Sequence, residues 1–287
     1  MSRATQALLG AYYHGTAPYR AWWNRRAAAA GRAPVMILFY HRVADERPND
    51  WTCPREVFAR QMRWIKSRFD VVSLAEAQRR LREGNSRGCV TVTFDDGYGD
   101  NVDFALPLLV ELEIPCTYFV STHFVRHGVP FPHDVRLGTP SRPNTMDELR
   151  HWSARGIEIG AHTRTHPDIG KITDRTRLHD EIVVAGEELQ QSLGKPVRYF
   201  AFPFGLPANL RPEAFEIAYD AGYDGVCSAY GGYNRPGDDP FHLQRIHADP
   251  EMLRLKNWLT VDPRKLGVPR YRYAAATTPA PEPQTTS

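Results

Sequence analysis

Cysteine is scarce: four residues in 287, at 53, 89, 116 and 227, with no C-x-x-C pair among them. That excludes a disulfide scaffold and a zinc-ribbon pattern. Three of the four lie in apolar, strand-like runs where a free thiol behaves as a small hydrophobe, so a reducing compartment is expected. No apolar run approaches a membrane span, and the first residues lack the apolar stretch of a secretory signal. The expected location is cytoplasmic. No G-x-G-x-x-G or P-loop follows a candidate strand, which argues against the nucleotide-binding sheet folds. Neither sign of charge dominates: 36 basic and 33 acidic residues leave +3. With no dense Lys/Arg block, nucleic acid is not an expected partner.

The length suits one sizeable core. Strand and helix signals alternate along it, the pattern of parallel βα units. The candidate strands are Val35 to Tyr40, Phe69 to Val72, Cys89 to Phe94, Cys116 to Val120, Ile157 to Ala161, Val197 to Phe202 and Gly225 to Ser228. Several are continuous apolar runs, as in strands covered on both faces. Ser73 to Glu76 and Thr145 to Glu148 read as capping boxes. Leu178, Ile182, Ala185 and Leu189 recur at helical spacing before a stop at Gly194, and Pro212 opens another helix. The expected class is α/β, an irregular (β/α) barrel of about seven parallel strands.

Three segments are expected: an N-terminal helical extension over 1–34, a main domain over 35–262 and a largely disordered tail over 263–287. Within that tail, Ala274 to Ser287 has no apolar periodicity. In the extension, Leu8, Leu9, Tyr12, Tyr13, Tyr19, Trp22 and Trp23 are mixed with Arg20, Arg25 and Arg26. This composition suits a peripheral membrane contact and equally a helix packed across the outside of the domain. Gly15 and Pro18 interrupt the helical pattern, which favours packing.

The chemistry concentrates at two strand ends. Val90 to Phe94 runs into Asp95-Asp96-Gly97, and Ile157 to Ala161 runs into His162-Thr163-Arg164-Thr165-His166. An Asp-Asp-Gly stop alone could be a turn. Two imidazoles and a carboxylate placed just after strands make a divalent-metal site and leave the other Asp free as a base. One helical turn after His162 would bring His166 to the same side. A second H-x-x-x-H pair, His123 and His127, has no acid nearby and serves as an internal control. His41, too, follows a strand directly, at the end of a barrel where such folds place their chemistry.

Thr93 to Gly97 and His162 to His166 resemble, in order and spacing, the first two signatures of the polysaccharide deacetylases, the NodB homology domain of carbohydrate esterase family 4. Tyr199 to Gly205 resembles the strand-end Pro-Tyr-Gly signature, with Phe204 where the family usually has Tyr. Softer similarity extends the resemblance over roughly residues 35–250. It implies that Asp96, His162 and His166 ligate a divalent metal, most often zinc. It further implies Asp95 as general base, metal-bound water as nucleophile, and Pro203 and Phe204 at the groove wall, with the Phe204 amide as oxyanion donor. Two departures stand out. The arginine that orients the base in many members is replaced by Ala201, with Arg245 the candidate substitute and Arg198 a weaker one. The family's late His, the general acid, has His247 and His41 as candidates. The implied partner is an acetylated glycan and the implied reaction removal of acetyl groups from an N-acetylated, hexosamine-containing polymer or oligosaccharide. An O-acetyl (xylan) esterase and a non-catalytic carbohydrate-binding or assembly module with the same fold remain alternatives. A glycosidase fits poorly, because its two carboxylates must flank the scissile bond.

Overall fold

In the computed structural model, which describes residues 2–273, seven parallel strands close into a barrel. They are β1 (Val35–Tyr40), β2 (Cys89–Phe94), β3 (Cys116–Val120), β4 (Glu158–Ala161), β5 (Tyr199–Ala201), β6 (Gly225–Ser228) and β7 (His242–His247). Neighbours in sequence are neighbours in the ring, and β1 closes it: Ile37 stands opposite Thr91 on β2 and Arg245 on β7. The expected count of seven is met with one change of membership. Phe69 to Val72 gives only the short strand Asp70–Val71, paired with Cys89 and Val90 at the lower end of β2. Its place in the ring belongs to β7. An apolar-run criterion passes over β7 because His242, Gln244, Arg245 and His247 interrupt it, although all of these except His247 are buried.

Two apolar layers result from the alternation of side chains along the strands. The inner one includes Val35, Ile37, Phe119, Tyr199 and Leu243, and the outer one packs strands against helices. Inner space is tight. A Cβ on Gly160 would lie 2.4 Å from the Phe119 ring, so the absence of a side chain on β4 is what lets Phe119 fill the interior.

The helix marks are realised unequally. Thr145 forms a complete capping box with Glu148 on Met146–Ala154. Ser73 caps Leu74–Glu83 through the Glu76 amide, but the Glu76 carboxylate is drawn to Arg79 and Arg80 instead of back to the cap. The helix expected around Leu178 to Leu189 spans Arg175–His179 and Ala185–Leu193 with a π turn, Asp180–Val184, between them, and ends at Gly194 with φ 65°.

The N-terminal extension is a pair of helices, Arg3–Gly15 and Ala17–Ala29. Gly15 and Pro18 therefore do not break one helix. They separate two, the proline sitting in the first turn of the second, where its missing N–H costs nothing. The pair packs on the barrel: Arg20 is buried, donating to the Asn257 carbonyl and side chain, and the Tyr12 hydroxyl donates to Asp262 at 2.6 Å. No described helix is long and apolar enough to cross a membrane. Residues 263–273 correct the expectation of a loose tail. The Tyr273 ring stacks on Phe215 at 4.0 Å, and Arg270 donates to Gln244, Asp238 and the His242 carbonyl. Ala274 to Ser287 lies outside the described residues.

Candidate active site

The site forms at the C-terminal ends of the strands. Asp95 continues the β2 ladder, its N–H donating to the Tyr40 carbonyl at 2.9 Å. Adjacent strand residues would face opposite ways. Asp96 escapes that alternation by turning to φ 74°, and Gly97 follows at φ 90°, where a Cβ would press to 3.0 Å on Val120. Both carboxylates are 3% exposed, and both line the same cavity.

His162 leaves β4 with its N–H on the Val120 carbonyl at 2.9 Å. The expected helical turn from there to His166 does not form. Thr163 (φ 63°) and His166 (φ 59°) are left-handed, and the Thr163 hydroxyl accepts the His166 N–H at 3.0 Å. Glu181, delivered by the π turn, holds this loop by accepting the N–H groups of Arg164 (3.0 Å) and Thr165 (2.8 Å) and the Thr165 hydroxyl. Asp96, Thr163, His166 and Phe204 account for four of the seven non-glycine residues with positive φ among the described residues. Strain concentrated in this way is a mark of a functional site.

The Asp96 Oδ1 lies 3.1 Å from His166 Nε2 and 3.4 Å from His162 Nε2, and the three ligand atoms fall within 4.8 Å of one another. Tetrahedral ligands at about 2.0–2.2 Å from an ion stand about 3.3–3.6 Å apart, so this spacing fits a divalent metal. Oδ1 is buried without a hydrogen-bond partner. The His162 Nδ1 is 2.8 Å from the Ala201 carbonyl, which can only accept, so Nδ1 donates there and Nε2 is the nitrogen turned toward Asp96. This is the one group of three or more such ligands among the described residues. His123 and His127, with rings 4.7 Å apart, gather no acid.

Asp95 meets Arg245 in a bidentate pair, with guanidinium nitrogens at 2.6 and 2.8 Å from its two oxygens. The fully buried guanidinium lies between the faces of Phe39 (4.9 Å) and Phe119 (5.3 Å) and donates also to Thr93 and to the Ser228 carbonyl. Burial alone would raise the Asp95 pKa, but Arg245, and then His162, outweigh it and hold the carboxyl below its ordinary range. Asp96 is held well below that range, its burial outweighed chiefly by His166 and His162. Ala201 is buried in the inner layer with Arg245, whereas Arg198 pairs with Glu158 at the start of its strand, at the opposite end of the barrel.

The carboxylates open onto a cavity of about 510 Å³ lined by Phe39, His41, Trp51, Phe131, Phe202 and Phe204 among others. His41 is in its wall, with Nδ1 buried and unpartnered; burial lowers its pKa despite the pull of Asp96 and Asp95. His247 is exposed and outside this lining, its ring 6.3 Å from that of His41. The Phe204 ring is 55% exposed and 5.3 Å from His166, and the Phe204 N–H meets no acceptor among the described residues. The turn around it is tight: the Pro203 carbonyl accepts the Gly205 N–H at 2.6 Å, and a Cβ on Gly205 would come within 2.6 Å of the Ala229 nitrogen.

Sequence reasoning missed one wall. Trp51 donates to the Tyr98 hydroxyl (3.1 Å), which donates to buried Asp134 (2.8 Å) and lies 3.2 Å from His133 Nε2. Trp51 comes from a loop, and Phe131 and His133 from the start of the short helix Pro132–Arg136, rather than from strand ends.

Fold and site together define a parallel barrel that carries a candidate Asp-His-His metal centre beside a second, arginine-bound carboxylate. Residues 82–226, half of the chain, match the family model for polysaccharide deacetylase, and the chain belongs to that family. YxkH of Bacillus subtilis, which bears the family's name, is 25% identical over 224 residues, 77% of this chain and 73% of that protein. The poly-beta-1,6-N-acetyl-D-glucosamine N-deacetylase of Staphylococcus epidermidis is 24% identical over 190 residues, covering 60% of this chain and 65% of its own length. Among solved structures, IcaB from Ammonifex degensii superimposes with a TM-score of 0.67 and 26% identity over 80% of this chain and 98% of that one. The Streptococcus pyogenes deacetylase PplD, at 21% identity and a TM-score of 0.65 over 78% of this chain and 96% of that one, shares the fold. The family match ends at 226, so Arg245 lies beyond it.

Proposed function

We propose that this chain is a metal-dependent hydrolase that removes acetyl groups from an N-acetylated, hexosamine-containing polysaccharide or oligosaccharide. The observation that carries the reading is the pairing, at one cavity, of the Asp96-His162-His166 cluster with an Asp95 kept ionised by Arg245. Asp96 Oδ1 and the Nε2 atoms of His162 and His166 would hold the ion, with zinc the best match to two nitrogens and one oxygen. When bound, the ion supplies Lewis acidity to the acyl oxygen and acidifies water.

The remaining work falls to the chain's own residues. Asp95 takes the proton of the attacking water, and Arg245 fixes the carboxylate in position and in its charged form. The Phe204 N–H donates to the oxygen on which charge develops. Between the two candidate acids, His41 is better placed than His247 to pass a proton to the leaving amine, because it faces the cavity that Asp95 lines. Trp51 and Phe204 offer apolar faces on which a sugar ring can lie.

The amide reading over the ester draws on the name of the S. epidermidis relative, an N-deacetylase. The absence of arginine at position 201 was the argument for a non-catalytic module, and the Arg245–Asp95 pair supports the catalytic reading over it. The test is acetate and free-amine release from β-linked N-acetylglucosamine oligomers and from acetylated xylan, with and without chelator. Acetate with stoichiometric amine, lost on chelation, supports the proposal. Acetate from xylan alone makes the chain an O-acetyl esterase, and binding of the oligomers with no acetate from metal-loaded protein makes it a binding module.

A further inference from the structure

Helix faces turned to water ordinarily carry polar and charged residues. The two N-terminal helices depart from that. Ala4, Ala7, Leu8 and Ala11 recur at i, i+3, i+4 and i+7 on Arg3–Gly15 and are all exposed. Pro18, Ala21, Trp22 and Arg25 repeat the same spacing on Ala17–Ala29 and are again all exposed. Leu8 is 73% exposed, Trp22 53% and Tyr19 46%, and the Arg26 guanidinium stands 5.9 Å from the Trp22 ring.

Charge separates in the same place. Residues 1–34 hold five of the 36 basic residues and no acid, leaving 31 basic against 33 acidic in the rest of the chain. The chain's net positive charge is therefore the charge of this segment. Of its arginines, Arg20 is spent on Asn257 and Thr260, but Arg3, Arg25 and Arg26 are exposed with no carboxylate partner among the described residues. The opposite side of the pair is pinned to the barrel by Arg20, by Tyr12 on Asp262 and by Arg264 over the Tyr12 ring at 4.0 Å. The outward face is thus presented on a fixed platform. Gln6 donates to Glu251, four residues past the end of β7, so the first helix starts at the end of the barrel where the cavity opens.

We propose that this helix pair is a docking surface for an anionic lipid bilayer. Leu8, Tyr19 and Trp22 enter the interfacial layer, and Arg3, Arg25 and Arg26 meet the lipid phosphates. A second copy of the chain is the poorer occupant, because a two-fold contact through this face sets arginines against arginines with no acid to pair them.

The experiment is sedimentation of the full chain with vesicles of pure phosphatidylcholine and of three parts phosphatidylcholine to one part phosphatidylglycerol. Binding to the mixed vesicles, absent from the neutral ones and reversed by salt, is expected. Arg25→Gln with Arg26→Gln should weaken it about thirty-fold, from the attraction of each arginine near an anionic surface. Trp22→Ala should weaken it in low salt as well. Circular dichroism and metal content should match the parent in all variants, since none of these residues touches the core or the cavity. Equal binding to neutral vesicles, or no binding to either, overturns the proposal. So does a concentration-dependent dimer abolished by the same substitutions, which would assign the face to a protein contact.

Discussion

Replacing Arg245 by Met removes the charge from the barrel interior while keeping an unbranched side chain to fill the space between Phe39 and Phe119. What remains is a carboxylate, Asp95, 3% exposed and stripped of its bidentate partner. Breaking a buried pair in this way costs about 3–5 kcal/mol, against a typical total stability of about 5–15 kcal/mol. The variant should fold with a lowered urea midpoint. The sign of its pH dependence is diagnostic in the metal-free protein. With Arg245 present, the folded Asp95 pKa lies below the unfolded value, so the pair's stabilisation is in place above about pH 4 and fades as pH falls through the folded pKa. Without Arg245, burial dominates and lifts the folded pKa above the unfolded one, so an ionised Asp95 destabilises the variant at neutral pH and acidification relieves it. The parent-to-variant difference should therefore be largest near pH 7, start to shrink above about pH 4 as the variant's Asp95 takes up its proton, and shrink further below about pH 4 as the parental pair is lost. With metal restored, turnover should fall about ten- to a hundredfold while bound zinc stays at the parental level. A stability difference that does not change with pH would show that Arg245 acts by volume alone, and unchanged turnover would remove it from the site. Ala201→Arg, placed in the space vacated in an Arg245→Ala background, should recover part of the loss.

Three further outcomes are expected. His162→Ala and His166→Ala should each lose bound zinc by elemental analysis while keeping their far-ultraviolet circular dichroism, and His123→Ala and His127→Ala should keep it; equal loss in both pairs would refute the ligand set. Asp95→Asn should retain metal and lose turnover, whereas Asp96→Asn should lose both, and the reverse order of metal contents would exchange the two roles. Glu181→Gln turns one acceptor of the His162 to His166 loop into a donor, so metal affinity measured by chelator competition should drop about tenfold or more, with exposed Glu187→Gln as the neutral control.

How far the sequence carried depended on whether a residue's place is set locally. Asp95, Asp96 and His162 each follow an apolar run directly, so the end of the strand tells where they stand. His166 was visible by spacing but not by conformation, because Thr163 and His166 adopt left-handed backbone without glycine, held by Thr163 and Glu181 rather than by propensity. Strand β7 hid behind its own polar interior residues. Arg245 was legible only through the vacancy at Ala201, since the residues that bring it to Asp95 are those of the whole ring. Trp51, Phe131 and His133 were illegible for a different reason: the loop of Trp51 and the five-residue helix Pro132–Arg136 are tied together by the Trp51–Tyr98–Asp134 contacts, which have no periodicity to read.

Arg245 and Asp95 are 150 residues apart, and the strand that carries the arginine is also the one that completes the ring between β6 and β1. During synthesis Asp95, Asp96, His162 and His166 all emerge well before it. The same strand that closes the ring delivers the guanidinium to Asp95, so a barrel open at β7 would leave this buried carboxylate without its partner. A nascent or truncated chain that ends before His242 would carry the full Asp-His-His set yet lack the guanidinium at Asp95, so under the proposed function its base would be unfixed until the ring closes.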